Sequence, residues 1–188
     1  MGHEFSGYTV GGIKKALTTL GYFDALLPDL QPETRETLAK ATLFKFHPGV
    51  RMNDVLITLA RQRGVDAVAA MMEEATRSSL GGIVAPLARM YLTLKGNEPS
   101  VLFERFNDLL RGTARGVTSK WISTGVREGR FEIHYVAPVN SVVVHGWRGA
   151  MTYVLEFCHA RGDVKAEPSP PETKSVALLI SWEAPRSA

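Results

Sequence analysis

The sequence predicts an α+β fold, an N-terminal helical bundle packed on a small antiparallel sheet of about four strands. Three observations predict it. Apolar residues recur at helical spacing through residues 1–115, the spacing changes to alternation in residues 116–188, and one amphipathic helix separates a β-hairpin from the last two strands. Because 188 residues suit one hydrophobic core, we expect a single domain over residues 1–188.

The first two helices are predicted in residues 11–27 and 31–41, each of which carries apolar residues on one helical face. Pro32 suits the first turn of the second helix, because a helix makes no use of the N–H that proline lacks there. A loop is expected at His47–Gly49, where a proline and a glycine adjoin.

The central helices are bounded by residues that start or stop a helix. Residues 52–64 are expected to form one helix, with Asn53 as its N-cap and Gly64 as its stop. The apolar segment that follows is divided or kinked at Gly81-Gly82 and Pro86, since proline removes a backbone donor. The last helical segment carries an inward-facing apolar set: Leu102, Phe103, Phe106, Leu109 and Leu110.

Alternation of apolar and polar residues marks the strands. The segments KWISTGV and RFEIHYVA flank Arg127-Glu128-Gly129, a hairpin signal in which Gly129 can take a positive φ. Phe131, Ile133 and Tyr135 then share one face of the second strand. In the last strand, SVALLISWE, both faces are apolar, which predicts a central position in the sheet.

One amphipathic helix is predicted between the hairpin and the last two strands. Gly162 is expected to end it. Its apolar stripe recurs at intervals of one, three and four residues and consists of Val143, Trp147, Ala150, Met151, Val154 and Cys158.

The order RFEIHYV, VVVHGWRGAMTYVLEFCHARG, DVKAEP and SVALLISWE resembles the C-terminal core of one superfamily. Its members include the small subunits of transport-protein-particle (TRAPP) complexes, the sensor domains named after 4-vinyl reductase, and the heme-NO-binding domains. From GGIKKAL through FERFNDLLRG to LISW, the chain is more closely similar to an uncharacterised family known from myxobacteria. The resemblance implies a soluble α+β module, commonly dimeric, that binds a small molecule or another protein.

Two features of that superfamily are not matched. Heme-binding members carry a Tyr-x-Ser-x-Arg motif, whereas YVLEF, from Tyr153, and YLTLK, from Tyr91, lack the serine and the arginine. We therefore expect no heme and no other cofactor. Some transport-particle subunits acylate a cysteine inside an apolar channel, but Cys158 cannot be matched to the position of that cysteine, so the role is not transferred.

Composition excludes several classes of protein. The net charge is +3, and the 22 Lys and Arg residues are spread evenly along the chain, which argues against a nucleic-acid partner. A single cysteine permits no internal disulfide and fits a reducing cytoplasm. No uncharged apolar stretch reaches about 18 residues, so no membrane span is expected.

No catalytic or metal-binding motif is present in the sequence. The 5 histidines form no i, i+4 pair, and CxxC and HExxH are absent, so no metal is expected. Cys158 lies on the apolar stripe, where burial makes a thiol inert, and His159 points away from it on a helix. We expect no catalytic residues and no enzyme activity, although an acid/base site assembled from distant residues would leave no motif.

Basic residues gather near one end of the predicted hairpin and could attract an acidic partner, a phosphate or an anionic lipid. The alternative is a solvated edge that prevents unwanted strand pairing. This basic patch consists of Arg111, Arg115, Lys120, Arg127 and Arg130.

Two functions from different classes fit these observations. The leading hypothesis is a non-enzymatic interaction module of a bacterial signalling or regulatory system, which forms a homodimer or joins a protein partner through its helical face. The alternative is a small-molecule sensor domain that holds a lipid-like or aromatic ligand in an apolar pocket between the last helix, the sheet and the central helices. The candidate lining residues are Met71, Met72, Met90, Phe103, Phe106, Trp147, Met151 and Cys158.

Overall fold

The structure is a computed structural model that describes residues 2–79, 85–96 and 98–183. The N-terminal elements are β1 (Glu4–Ser6), α1 (Gly7–Thr19), α2 (Phe23–Leu26), a 3-10 turn (Leu27–Asp29), α3 (Pro32–Lys40), β2 (Phe46–Pro48), α4 (Gly49–Arg63) and α5 (Val65–Ser79). They are followed by α6 (Ala85–Lys95), α7 (Pro99–Glu104), α8 (Phe106–Leu110), β3 (Ala114–Arg115), β4 (Val117–Gly125), β5 (Glu128–Asn140), α9 (Val143–Phe157), β6 (Gly162–Ala166) and β7 (Glu172–Trp182).

The main sheet has the strand order β4-β5-β7-β6, and each neighbouring pair is antiparallel. The helix α9 connects the β4-β5 hairpin to β6 and packs both on the sheet and on α5. This arrangement confirms the predicted α+β class, including the inserted helix. The strand β7 is central, as its sequence predicts, with Ala177 buried but Leu179 half-exposed on its second face.

A second, smaller sheet was not predicted. It has the order β2-β1-β3, with Phe5 of β1 opposite His47 on one side and Ala114 on the other. The expected loop at His47–Gly49 is therefore wrong, because residues 46–48 form β2 and α4 begins at Gly49. Strands of two or three residues are too short to show alternation in the sequence.

Helix boundaries differ from prediction where the chain uses no side-chain cap. Asn53 lies inside α4 instead of capping it, and Pro48 precedes the first turn. Gly64 does end α4, with a φ of 83°. Pro86 lies in the first turn of α6, where proline costs no hydrogen bond. The predicted break at Gly81-Gly82 lies outside the described residues.

Two glycines have roles other than those predicted. Gly129 lies within β5, and its φ is not positive. A Cβ there would overlap the Trp121 ring across the strand pair, so close packing is the reason that a glycine is needed. Gly162 begins β6 and does not end the preceding helix, since α9 stops at Phe157 and His159 reverses the chain with a φ of 55°.

The core joins the sheet to the helices through an aromatic cluster. Phe131 is fully buried at its centre, with ring centroids 5.2 Å from Phe106 and 5.7 Å from Phe103. Trp182 lies against Phe103, and its indole N–H donates to Glu98 Oε2 at 3.0 Å. Such contacts stabilise by burying large apolar area and by favourable ring geometry.

The helices α5 and α9 approach each other at a glycine. A Cβ on Gly149 would overlap the main-chain oxygen of Ala69, so the backbones are in direct contact there. Ion pairs flank the contact: Arg77 Nη1 lies 2.6 Å from Glu156 Oε1, and Arg148 pairs with Asp66. In the described ranges, no helix is long and apolar enough to cross a membrane.

A candidate ligand cavity

A cavity of about 150 Å³ lies between α9 and the helical part of the fold, partly open to solvent. The lining comes from the helices α1 and α4 to α9, from β1 and β3 of the small sheet, and from Tyr135 of the main sheet. The lining is predominantly apolar. Its described residues are Phe5, Thr9, Ile13, Met52, Leu56, Met72, Ala75, Thr76, Ser79, Ala88, Leu102, Phe106, Leu109, Leu110, Thr113, Ala114, Tyr135, Val143, Gly146, Trp147, Ala150, Met151 and Val154.

The structure brings half of the predicted pocket residues together. Met72, Phe106, Trp147 and Met151 line the cavity.

The other predicted pocket residues lie elsewhere. Met71, Phe103 and Cys158 are buried in the surrounding core and do not line the cavity. Met90 is 46% exposed on α6, because that residue lies on the solvent side of its helix.

Tyr135 and Trp147 form the polar contact of the cavity. Trp147 Nε1 donates a hydrogen bond to Tyr135 Oη at 2.5 Å, which joins α9 to β5. Burial raises the pKa of Tyr135 well above its usual value, since a phenolate would lose its hydration. The hydroxyl is therefore neutral at physiological pH.

The lining carries no charge. Among the described lining residues there is no Asp, Glu, Lys, Arg, His or Cys, and the polar groups are hydroxyls and the Trp147 indole. An ionised ligand would lose its hydration there without gaining an ionic partner, which is costly. The cavity therefore suits an uncharged molecule.

Cys158 lies at the end of α9 with none of its surface exposed, whereas His159 is exposed. Burial, with a smaller contribution from the charge of Glu98, raises the pKa of the Cys158 thiol to about 12. A thiol in that state contains almost no thiolate, which is the reactive form.

We expect native protein to resist alkylation of Cys158 by iodoacetamide at mildly alkaline pH. Because both access and thiolate are lacking, labelling should be roughly 10²-fold slower than in denaturant. Mass spectrometry of timed samples measures the rate. Equal rates with and without denaturant would show that the end of α9 opens readily.

Three histidines are held in environments that favour the neutral ring. His3 is buried with its ring edge-on to Tyr135 at 5.1 Å, and this burial lowers the pKa of His3. Burial also lowers the pKa of His47, helped by Lys45, and the pKa of His145, helped by Arg148. In the unfolded chain each ring has its ordinary pKa of 6.5.

The free energy of unfolding should therefore fall as the pH falls below 6.5. The folded pKa values lie below the unfolded ones, so protons bind the unfolded chain more readily and acid favours unfolding. Urea titrations at a series of pH values measure the decline. His3→Gln should make this decline of stability with falling pH shallower, because it removes one of the three histidines whose pKa is lowered by burial. A wild-type stability that is constant down to about pH 5 would contradict this prediction.

The five residues of the predicted basic patch do not form one cationic surface. Arg111 pairs with Asp108 at 3.5 Å, and Arg115 pairs with Glu4 at 3.8 Å while it stacks on Phe46.

The two arginines of the hairpin are partly buried and also paired. Arg127 bonds Glu98 at 3.1 Å, and Arg130 bonds both Glu132 and Glu167. Lys120 is exposed on β4. Paired arginines attract an anion weakly, which favours the interpretation of these residues as a solvated edge.

No group of three or more His, Cys, Asp or Glu side chains could hold a metal ion among the residues the structure describes. The buried ring nitrogens His3 Nε2, His47 Nε2 and His145 Nδ1 have no hydrogen-bond partner there.

The fold is similar to that of H-NOX (heme-NO-binding) proteins. An Fe(II) unliganded H-NOX protein from K. algicida superposes with a TM-score of 0.65 and 11% identity, over 97% of this chain and 99% of that one. An H-NOX protein from S. oneidensis in the Fe(II)NO ligation state superposes with a TM-score of 0.65 and 8% identity, over 95% of this chain and 99% of that one. An oxygen-binding H-NOX domain related to soluble guanylate cyclases superposes with a TM-score of 0.62 and 11% identity, with 97% of each chain covered. No protein-family model and no curated protein matches the sequence.

The residues of this cavity do not fit heme. Heme iron is held by His, by Cys, by Met together with His, or by a Tyr phenolate. The described lining has no His or Cys to accompany Met52, Met72 and Met151, and Tyr135 is held neutral. The cavity is also smaller than the roughly 300–1,000 Å³ of pockets for drug-sized ligands.

The propionate groups of heme would also lack a partner. No Arg or Lys lies among the described lining residues, so two carboxylates would lose hydration uncompensated. The tyrosine that the structure places in the cavity is Tyr135, and its segment reads Tyr-Val-Ala-Pro-Val, with Ala137 and Val139 where the heme-binding motif has Ser and Arg.

Sequence reasoning missed several lining residues. Phe5, Ile13 and Leu56 come from three separate elements, and their apolar character predicts burial but not the cavity. Tyr135 could have been predicted from the sequence, because the alternation along β5 places its side chain on the buried face together with Phe131 and Ile133. A buried hydroxyl on an otherwise apolar face indicates a polar partner.

Proposed function

We propose that this protein is a small-molecule sensor domain that binds an uncharged, apolar ligand in the cavity, without heme. One observation supports it most directly: a cavity of about 150 Å³ between α9 and other helices, whose described lining residues are mostly apolar and carry no charge. An apolar cavity of about this size is large enough for benzene. The similarity to H-NOX folds supports a sensor more than an adaptor, because one of those proteins binds oxygen and another is in the Fe(II)NO ligation state.

We also propose that the protein acts in bacterial signalling, lies in the cytoplasm and has no enzyme activity. Membership of the uncharacterised myxobacterial family is proposed as well. The TRAPP and 4-vinyl reductase relationships also stay predictions.

Filling the cavity should abolish binding while the fold is retained. Ala150 is buried and lines the cavity from α9, so Ala150→Leu places a larger apolar side chain in the space. Cavity filling in a compatible site is neutral or stabilises by about 0.5–2 kcal/mol. Calorimetric titration with methylenecyclohexane, a neutral one-ring hydrocarbon, should show saturable binding to the wild type and none to this variant.

The control is Ala70→Leu, at an exposed alanine on α5. This variant should bind methylenecyclohexane as the wild type does. Equal binding to the wild type and to Ala150→Leu would contradict the cavity as the site. Addition of hemin should give no stoichiometric complex with a sharp Soret band, and such a complex would contradict a heme-free sensor.

Dimerisation through the helical part is a second candidate function. It is favoured by exposed apolar side chains beside and on α4, namely those of Leu43, Phe44 and Val50. Light scattering coupled to size-exclusion chromatography tests it, and the mass of one protomer over the whole concentration range would contradict it.

A further inference from the structure

The hydroxyl of Tyr135 has a hydrogen that no residue in the described part of the chain accepts. An indole N–H can only donate, so Tyr135 Oη must be the acceptor in its bond with Trp147 Nε1. A tyrosine hydroxyl can accept and donate at once. Among the described residues, Tyr135 Oη donates no hydrogen bond.

The threonine hydroxyls of the cavity differ in this respect. Thr9 Oγ1 donates to the carbonyl of Thr113 at 3.2 Å, and Thr76 Oγ1 donates to the carbonyl of Met72 at 2.6 Å. Thr113 Oγ1 donates to the carbonyl of Leu110 at 3.2 Å. Their hydrogens are occupied by main-chain oxygens, and Tyr135 therefore stands apart from them.

A buried donor without an acceptor costs free energy, and a ligand that supplies the acceptor recovers it. Tyr135 is 6% exposed and lines the cavity, so a molecule in the cavity can reach its side chain. The absence of charged groups from the described lining excludes a carboxylate as the acceptor on grounds of hydration. A neutral carbonyl oxygen accepts hydrogen bonds strongly and carries no charge, so it suits both this hydroxyl and the described lining.

We propose that Tyr135 determines ligand specificity by donating a hydrogen bond to a neutral carbonyl oxygen on a one-ring ligand. The inference rests on the proposed function, since it names the ligand class for the same cavity. Trp147 positions the tyrosine hydroxyl, because its N–H occupies one lone pair and directs the remaining hydrogen elsewhere.

Three probes of equal heavy-atom count test the proposal by calorimetric titration. Cyclohexanone carries the acceptor, methylenecyclohexane replaces its oxygen with carbon, and cyclohexylammonium replaces it with a charge. In the wild type, cyclohexylammonium should not bind. In Tyr135→Phe, the dissociation constant of cyclohexanone should rise roughly three- to tenfold relative to that of methylenecyclohexane, because the hydrogen bond to the ketone is lost.

Tyr91→Phe is the matched control, because it makes the same chemical change at a tyrosine that bonds Asp108 and is not among the described lining residues. Its ratio of the two dissociation constants should equal that of the wild type. Since both probes are measured on each variant, any loss of stability common to both cancels in the ratio. An unchanged ratio in Tyr135→Phe, or a changed ratio in Ser79→Ala instead, would overturn the assignment to Tyr135.

A second measurement uses the unaltered protein. The carbonyl stretching band of bound, isotope-labelled cyclohexanone should lie at lower frequency than in cyclohexane, because hydrogen bonding weakens the C=O bond. An unshifted band would overturn the proposal. If methylenecyclohexane binds and the ketone gains nothing, this inference fails while the sensor function stands; if neither neutral probe binds, both fail.

Discussion

Gly149→Ala is expected to lower the free energy of unfolding by about 3 kcal/mol or more. The added methyl group would overlap the main-chain oxygen of Ala69, and backbone cannot move aside as a flexible side chain can. Relief requires α5 and α9 to separate, which would strain the flanking pairs Arg77–Glu156 and Arg148–Asp66. Urea denaturation followed by circular dichroism measures the loss.

Gly11→Ala is the matched control for that substitution. Gly11 lies in α1 on an exposed face, and among the described residues no atom outside the backbone of α1 itself and its chain neighbours lies within 4 Å of a Cβ placed there. Because alanine restricts the unfolded chain and favours helix, this variant should gain about 0.5–1 kcal/mol. A loss below about 1 kcal/mol for Gly149→Ala would mean that the two helices are not in direct backbone contact.

Phe131→Ala should lower the free energy of unfolding by about 3–5 kcal/mol. The ring is fully buried between Phe103 and Phe106, so its removal loses apolar burial and leaves a cavity at the junction of sheet and helices. The same denaturation experiment measures it.

Phe44→Ala makes the same chemical change at a side chain that is 84% exposed. It should alter stability by no more than about 0.5 kcal/mol. Similar losses in the two variants would show that Phe131 is not at the centre of the core.

Hydrophobic periodicity in the sequence predicts most of the helices and strands of this fold. The stripe from Val143 to Cys158 predicts α9, and alternation from Phe131 to Tyr135 predicts the inward face of β5, because each pattern reflects a regular local geometry. The small sheet could not be predicted this way. Its strands β1, β2 and β3 are held by pairing between distant segments, and so short a strand has no period of its own.

The cavity was harder to predict than the core around it. Met71 and Met72 are adjacent in sequence, yet Met72 lines the cavity and Met71 packs away from it. A hydrophobic pattern indicates which side of a helix is buried, but whether a neighbour fills the space depends on packing between distant segments. The contact of Gly149 with Ala69 has the same origin, since nothing in either helix alone requires a glycine there.

The contact at Gly149 also bears on how the cavity can enlarge. The helices α5 and α9 both line the cavity, and their spacing is fixed: backbone contact prevents a closer approach, and the pairs Arg77–Glu156 and Arg148–Asp66 oppose separation. We therefore expect a molecule larger than the present space to displace other lining helices, such as α6, α7 and α8, and to leave α5 and α9 in place.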